Sequence, residues 1–146
     1  MADKIAAYLG LARRAGRLAS GEQAVAMAMV GGAAKAIFLA SDAPDKVIRR
    51  ANSFIAGRRT LLLTLPISKA EFGRAIGKPA CSIAAVTDIG LANSVVSSLR
   101  EADPDRYAEA AELMDKRNTK AQRRRRETRV AAKTDEKKPR GNTGSK

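Results

Sequence analysis

Three short, largely apolar runs recur along the chain at Ala36–Ala40, Thr60–Leu65 and Ile83–Thr87, and each lacks the polar alternation of a half-exposed strand. A run of that length and texture reads as a strand buried on both faces. Between the runs, apolar residues fall three and four apart. Val47, Ile48, Ala51 and Ile55 make one such set, and Leu91, Val95, Val96 and Leu99 another. That spacing lines one face of a helix.

Two further helical segments precede the first run. Asp3–Arg14 carries Ile5, Tyr8, Leu9 and Ala12, with Asp3 as a predicted N-cap. A second helix is predicted to open at Ser20-Gly21-Glu22-Gln23, where Ser20 and Gln23 have capping-box spacing, and to stop at Gly31-Gly32. A short helix over Ser68–Ile76 carries the same pattern in Ser68 and Glu71. Strands alternating with helices in this way predict an α/β sandwich with helices on both faces of one sheet. Pro104 interrupts the pattern, and Tyr107, Ala110, Ala111 and Met114 form one more helical set. The expected division is a folded domain over 1–102, a helical and increasingly basic extension over 103–130, and a disordered basic tail over 131–146.

Charge separates these parts. The 146 residues carry 28 Lys and Arg against 15 Asp and Glu, a net +13. Residues 116–146 hold 13 of those bases and 3 of the acids, so +10 sits in the last 31 residues. Arg123-Arg124-Arg125-Arg126 and Lys137-Lys138-Pro139-Arg140 lie there, with no aromatic residue among them. Such a segment buries too little to repay its ordering entropy. As a polycation it suits nucleic acid, because neutralising phosphates releases condensed counterions. An anionic membrane is the weaker candidate, since apolar anchors are missing. A merely solvated tail is the bland alternative.

Composition removes several function classes. With no histidine, neither a Ser–His–Asp triad nor a His-ligated zinc can form. The single cysteine, Cys81, allows no internal disulfide and fits a reducing, cytoplasmic setting. Without a basic partner it reads as structural. No stretch approaches 18 consecutive apolar residues, so no membrane span is predicted. The acids before residue 103 fall at helix starts, turns or exposed positions, and most have a capping or helix-dipole reading. No GxxxxGK[ST] loop occurs. The expectation is a protein that is not an enzyme and uses no metal or cofactor.

One constellation points to a partner. Arg13, Arg14 and Arg17 precede Ser20-Gly21, where a helix is predicted to begin. Free N–H groups and the positive end of the dipole make a helix start attractive to anions. A glycine there lets a phosphate or base edge come close. The alternative, equally open at this point, is that Gly21 eases the turn and the arginines solvate one face. The five aromatics, Tyr8, Phe38, Phe54, Phe72 and Tyr107, mostly occupy core positions, so a base-stacking platform is not expected.

Longer segments carry a resemblance. They are Leu9-Gly10-Leu11-Ala12-Arg13-Arg14-Ala15-Gly16-Arg17-Leu18, Ser20-Gly21 and Ala34-Lys35-Ala36-Ile37-Phe38-Leu39-Ala40-Ser41-Asp42-Ala43, then Phe72-Gly73-Arg74-Ala75-Ile76-Gly77-Lys78 and Ala84-Ala85-Val86-Thr87-Asp88. Without gaps from about Ile5 to Arg100, the chain resembles the kink-turn RNA-binding ribosomal-protein superfamily of L7Ae and L30e type, in its bacterial YlxQ-like branch. The resemblance implies a three-layer α/β/α sandwich that binds structured RNA, ribosomal RNA and the ribosome included. It implies contacts at the helix opened by Ser20-Gly21 and at the loop after Gly77, Lys78-Pro79-Ala80-Cys81-Ser82. The RNA-binding set so expected is Arg13, Arg14, Arg17, Ser20, Gly21, Glu22, Gln23, Lys35, Arg74, Lys78, Pro79 and Cys81. Within it Ser20 acts as cap, Gln23 supplies an amide, and the bases at 13, 14, 17, 35, 74 and 78 hold phosphates.

The polar signature departs from the family's. Kink-turn binders carry asparagine, glutamate and lysine two, three and six residues after the glycine, where this chain has Gln23, Ala24 and Met27. Each contact so lost costs on the order of 1–3 kcal/mol, which weakens kink-turn discrimination. The alternative reading is a protein-interaction or enzyme-accessory module that keeps the fold without that recognition.

Overall fold

Each of the three buried runs forms a strand, and a fourth joins them. The structure, a computed structural model, describes residues 2–137. In order the elements are α1 (Ala2–Arg14), β1 (Leu18–Ser20), α2 (Glu22–Val30), β2 (Ala36–Leu39), α3 (Asp45–Ile55), β3 (Leu61–Thr64), α4 (Lys69–Ala75), β4 (Ile83–Val86), α5 (Ile89–Ala102) and α6 (Pro104–Lys137).

The sheet order is β1-β4-β2-β3. β4 runs antiparallel to both β1 and β2, whereas β2 and β3 are parallel. The register aligns Ser20 with Ala84 and Leu39 with Ile83, so β1 and β2 finish where β4 begins. At the opposite end β4 finishes at Val86, beside the starts of β1, β2 and β3.

Side chains alternate across the sheet and define two cores. Ala36, Phe38, Ala84 and Val86 face α1, α4, α5 and the first turns of α6. Ile37, Leu39, Ile83 and Ala85 face α2 and α3. This is a three-layer α/β/α sandwich, as the resemblance implies.

Several expectations are corrected. Leu18–Ser20, which no predicted element covers apart from Ser20 as a helix start, pairs with β4 as an edge strand. Ser20 is therefore no cap. Its backbone is committed to the sheet, α2 starts at Glu22, and the capping position falls on Gly21, which has no side chain to offer. Ser68, with no strand claiming it, does form the capping box with Glu71. Asp3 lies inside the first turn of α1 rather than before it. β3 is half-buried, being the other edge of the sheet.

The core also passes the expected boundary at residue 102. Tyr107, Ala111 and Met114 of α6 are buried in it, and the Tyr107 hydroxyl donates to the Thr64 carbonyl of β3. Beyond Ala121, residues 122–132 of α6 are exposed. The helix nevertheless continues to Lys137, past the point where order was expected to stop. Residues 116–137 contain neither glycine nor proline and are rich in Arg, Lys, Ala, Gln and Glu, all strong helix formers. The rest of the expected tail, 138–146, lies outside the described residues.

Candidate nucleic-acid interface

At the end of the sheet where β4 begins, the chain enters α2 through Gly21, with φ 92° and ψ 157°. Only glycine adopts that combination without strain. The Gly21 N–H donates to the Ile83 carbonyl at 2.9 Å, extending the β1–β4 ladder by one rung. No side chain caps the first turn of α2, and a Cβ built on Gly21 would meet nothing within 4 Å. The amides of that turn have no intrahelical acceptor.

Opposite lies the loop over residues 77–82, held by backbone hydrogen bonds. Lys78 N–H donates to Gly73 O at 2.8 Å, Cys81 N–H to Lys69 O at 3.0 Å, and Ala40 N–H to Ser82 O at 2.9 Å. The loop lies directly on α4 at Gly73, where an added Cβ would come within 2.6 Å of Lys78 O and of Ala80 Cα. Between the loop and α2 is a groove of about 250 Å³, lined by Ser20, Gly21, Glu22, Lys78, Cys81 and Ser82 among others.

The predicted residues divide by position. Ser20, Gly21, Glu22, Lys78 and Cys81 meet at this groove. Pro79 sits exposed within the loop, and Gln23 is exposed one position further along α2. Arg13 lies against the start of that loop, since a Cβ on Gly77 would sit 3.3 Å from its Nη1. Arg14 lies over its own helix at Gly10. Arg74 borders a separate depression with Asp3 and Glu71, between α4 and α1.

Arg17 and Lys35 belong to the far end of the sheet. The Arg17 carbonyl accepts from Thr87 N–H at 2.9 Å, and Lys35 N–H donates to Val86 O at 2.9 Å. The three residues of β1 set Arg17 about 13 Å from Gly21, and Lys35 lies at the same far end, before β2. Closeness in sequence had grouped what the sheet holds apart. The bases that flank Lys35 there, Arg59 and those of α6, were not in the predicted set. Their signal was the β2–β3 register, which sets Ala36 beside Leu61 and thus brings the residues preceding both strands together.

Charge at the groove is modest. Glu22, in the first turn of α2, lies 3.5 Å from Arg50 Nε, within ion-pair range but outside hydrogen-bond geometry, so its buried Oε1 has no hydrogen-bond partner. Cys81 is 6% exposed. Its Sγ–H donates to Ile83 O at 3.3 Å, and burial pushes the thiol pKa up to about 11, against the smaller opposing effects of that bond and of Lys78. It is a protonated thiol at neutral pH and belongs to the core. No helix among the described residues is long and apolar enough to cross a membrane.

Comparison with known proteins places this geometry in context. The sequence pattern of the ribosomal protein L7Ae/L30e/S12e/Gadd45 family matches residues 3–96. The RNA-binding protein YlxQ of Bacillus subtilis (strain 168) is 35% identical over 95 residues, which span 62% of this chain and 90% of that protein. Among solved structures, a Bacillus halodurans protein of unknown function superposes with a TM-score of 0.60 at 28% identity, covering 64% of this chain and 94% of the other. The Giardia lamblia 15.5kD RNA binding protein shares the fold, with a TM-score of 0.56 at 16% identity over 64% and 80% of the two chains.

Proposed function

Since this chain belongs to the ribosomal protein L7Ae/L30e/S12e/Gadd45 family, we propose that it is a non-catalytic protein that binds structured RNA through the groove between α2 and the 77–82 loop. The observation that carries this reading is Gly21. It leaves the uncapped start of α2 open to a backbone phosphate or base edge, with Lys78 across the groove and Arg13 beside it. The similarity to a protein named for RNA binding supports the same partner. The buried, protonated Cys81 is a poor nucleophile, which favours binding over catalysis.

Shape and backbone contacts dominate in this proposal. Ala24 and Met27 supply no polar side chain where kink-turn binders have glutamate and lysine, so preference for a kink-turn over plain duplex is small, about tenfold or less. The basic stretch of α6, together with the lysines and arginine of residues 138–146, adds affinity that is indifferent to sequence and steep in salt.

The test is titration of the full chain with a kink-turn RNA and a plain RNA duplex at two salt concentrations, beside Lys78→Gln and Arg13→Gln. The expected result is binding that both variants weaken several-fold at unchanged melting temperature. A chain that binds neither RNA even at low salt sinks the proposal. A second reading, docking of a protein partner, is favoured by Met27 and Val30, which are 71% and 83% exposed on α2. It gains if RNA fails while Met27→Lys abolishes capture of a protein.

A further inference from the structure

The end of the sheet that holds Lys35 carries a larger depression, about 380 Å³, between the starts of β2 and β3 and the flank of α6. Six bases line it: Lys35, Arg59, Arg117, Lys120, Arg124 and Arg125. No acidic side chain lines it among the described residues. Asp88, whose Oδ2 accepts the Leu91 N–H at 2.9 Å as the cap of α5, sets Oδ1 3.9 Å from Arg125 Nη2 and offsets part of the charge at that one base.

The bases are placed by the fold. Arg117 is half-buried and its Nη1 donates to the Arg59 carbonyl at 2.8 Å, which ties α6 to the residues before β3. Its Nε is buried with no hydrogen-bond partner among the described residues. Burial, and then repulsion from the Arg59 guanidinium, lowers the Arg117 pKa from its ordinary value. Gathering like charges in a partly dehydrated recess opposes stability unless an anion occupies it.

Length identifies the anion's class. Arg117, Lys120, Arg124, Arg125 and Thr128 fall on one stripe of α6, and a shallower depression at Arg124, Arg125, Thr128 and Arg129 continues it. From residue 117 to 128 the helix rises about 16 Å. Successive phosphates along one strand lie only a few ångströms apart (the axial rise is about 3.4 Å in B-form DNA), so the stripe spans several phosphates rather than one. With no aromatic in the lining, contact is to backbone and not to stacked bases.

We propose that this groove holds the sugar–phosphate backbone of an RNA strand, giving the chain a second grip at the opposite end of the sheet from Gly21. The inference shares its partner with the proposed function but does not depend on the α2 groove. It treats α6 as one wall of a built site, not as an arm that acts through charge alone.

The test compares two double variants of the full chain that remove equal charge, both checked by thermal melting. Lys35→Gln/Arg59→Gln empties the sheet side of the groove and keeps the Arg59 carbonyl that Arg117 needs. Arg123→Gln/Arg126→Gln removes two exposed bases from the other side of α6. The expected result, with a mixed-sequence RNA duplex, is that the groove variant loses about tenfold in affinity and about two from the log–log salt slope. The far-side variant should lose less than about threefold. Equal losses overturn the groove in favour of diffuse attraction. Micromolar binding of inorganic pyrophosphate that only the groove variant abolishes overturns the strand in favour of a small-anion site. If Lys78→Gln weakens the duplex while both double variants bind as wild type, this inference fails and the proposed function stands. A wild-type chain that binds no RNA overturns both.

Discussion

At the end of the sheet where β4 begins, Gly21, Gly73 and a set of backbone hydrogen bonds shape the surface. At the end where β4 finishes, Lys35, Arg59 and four side chains of α6 do so. The first surface lies wholly within residues 3–96, the part that matches the family, whereas α6 begins only at Pro104. A backbone-built groove changes little with single substitutions outside its glycines. A groove built from long cationic side chains can be strengthened or erased one charge at a time, and its contribution falls with salt. One sandwich thus carries a shape built from backbone at one end and a charge built from long side chains at the other.

The comparison breaks most directly at Met114. It is fully buried where α6 meets the core, so Met114→Ala should cost about 2–5 kcal/mol in urea unfolding. A loss below about 1 kcal/mol would make α6 an appendage and deny the second end its wall.

Alkaline pH should act on the first end. The Cys81 pKa is raised from an ordinary 9.0 to about 11, so the folded form holds the proton more tightly than the unfolded chain. Its stabilising contribution is complete below pH 9 and disappears as pH rises from about 9 to about 11. The full swing is about 2–3 kcal/mol. Urea midpoints at pH 8 and 10.5 measure it, and Cys81→Ser, which keeps a donor but does not titrate there, should flatten the difference.

At Gly73 the obstruction is backbone, with Lys78 O and Ala80 Cα both 2.6 Å from an added Cβ. No side-chain rotation can relieve it. Gly73→Ala should cost about 1–3 kcal/mol and shift the amide resonances of Lys78 and of residues 80–82, leaving those of Lys35 and Arg59 in place. Unmoved loop resonances would show that the glycine does not shape the groove.

The smallest effect separates two look-alike sequences. Ser68→Ala should cost about 1 kcal/mol by removing a formed capping box, and Ser20→Ala no more than about 0.5 kcal/mol. Equal losses would place Ser20 back at the helix start.

That last pair marks what the residues alone could reveal. The runs containing β2 and β4 were legible because both faces of those strands are buried, leaving no polar position to confuse the reading. The capping boxes at Ser20 and Ser68 look alike in sequence. Only the partner strand, with Ala84 opposite Ser20, decides that the first does not form. β1 escaped notice because three residues are too few for a pattern. Gly21 and the loop after Gly77, singled out by local chemistry and by family resemblance, are brought to one groove. Arg17 and Lys35 share a sequence neighbourhood or a resemblance with Gly21 but lie at the other end of the sheet, because a strand carries the chain onward by about 3.3 Å per residue, and Arg74 sits apart on α4. The basic extension shows as charge and the set Tyr107, Ala110, Ala111 and Met114 as an apolar helix face, but nothing in the residues says that this face closes the core of the preceding domain.

β3 has one more property that comes from its place at the edge. Leu61-Leu62-Leu63-Thr64 is a greasy, β-prone segment with an unpaired flank, the kind of strand that recruits a second copy and seeds aggregates. Here it is only four residues long, it comes directly after Arg58-Arg59-Thr60, and one of its carbonyls is occupied by the Tyr107 hydroxyl. Charged residues beside such a run act as gatekeepers against self-association. Arg59, which the proposed second groove places against an RNA strand, is thus also positioned as a gatekeeper, and a variant that loses it should be watched for turbidity as well as for affinity.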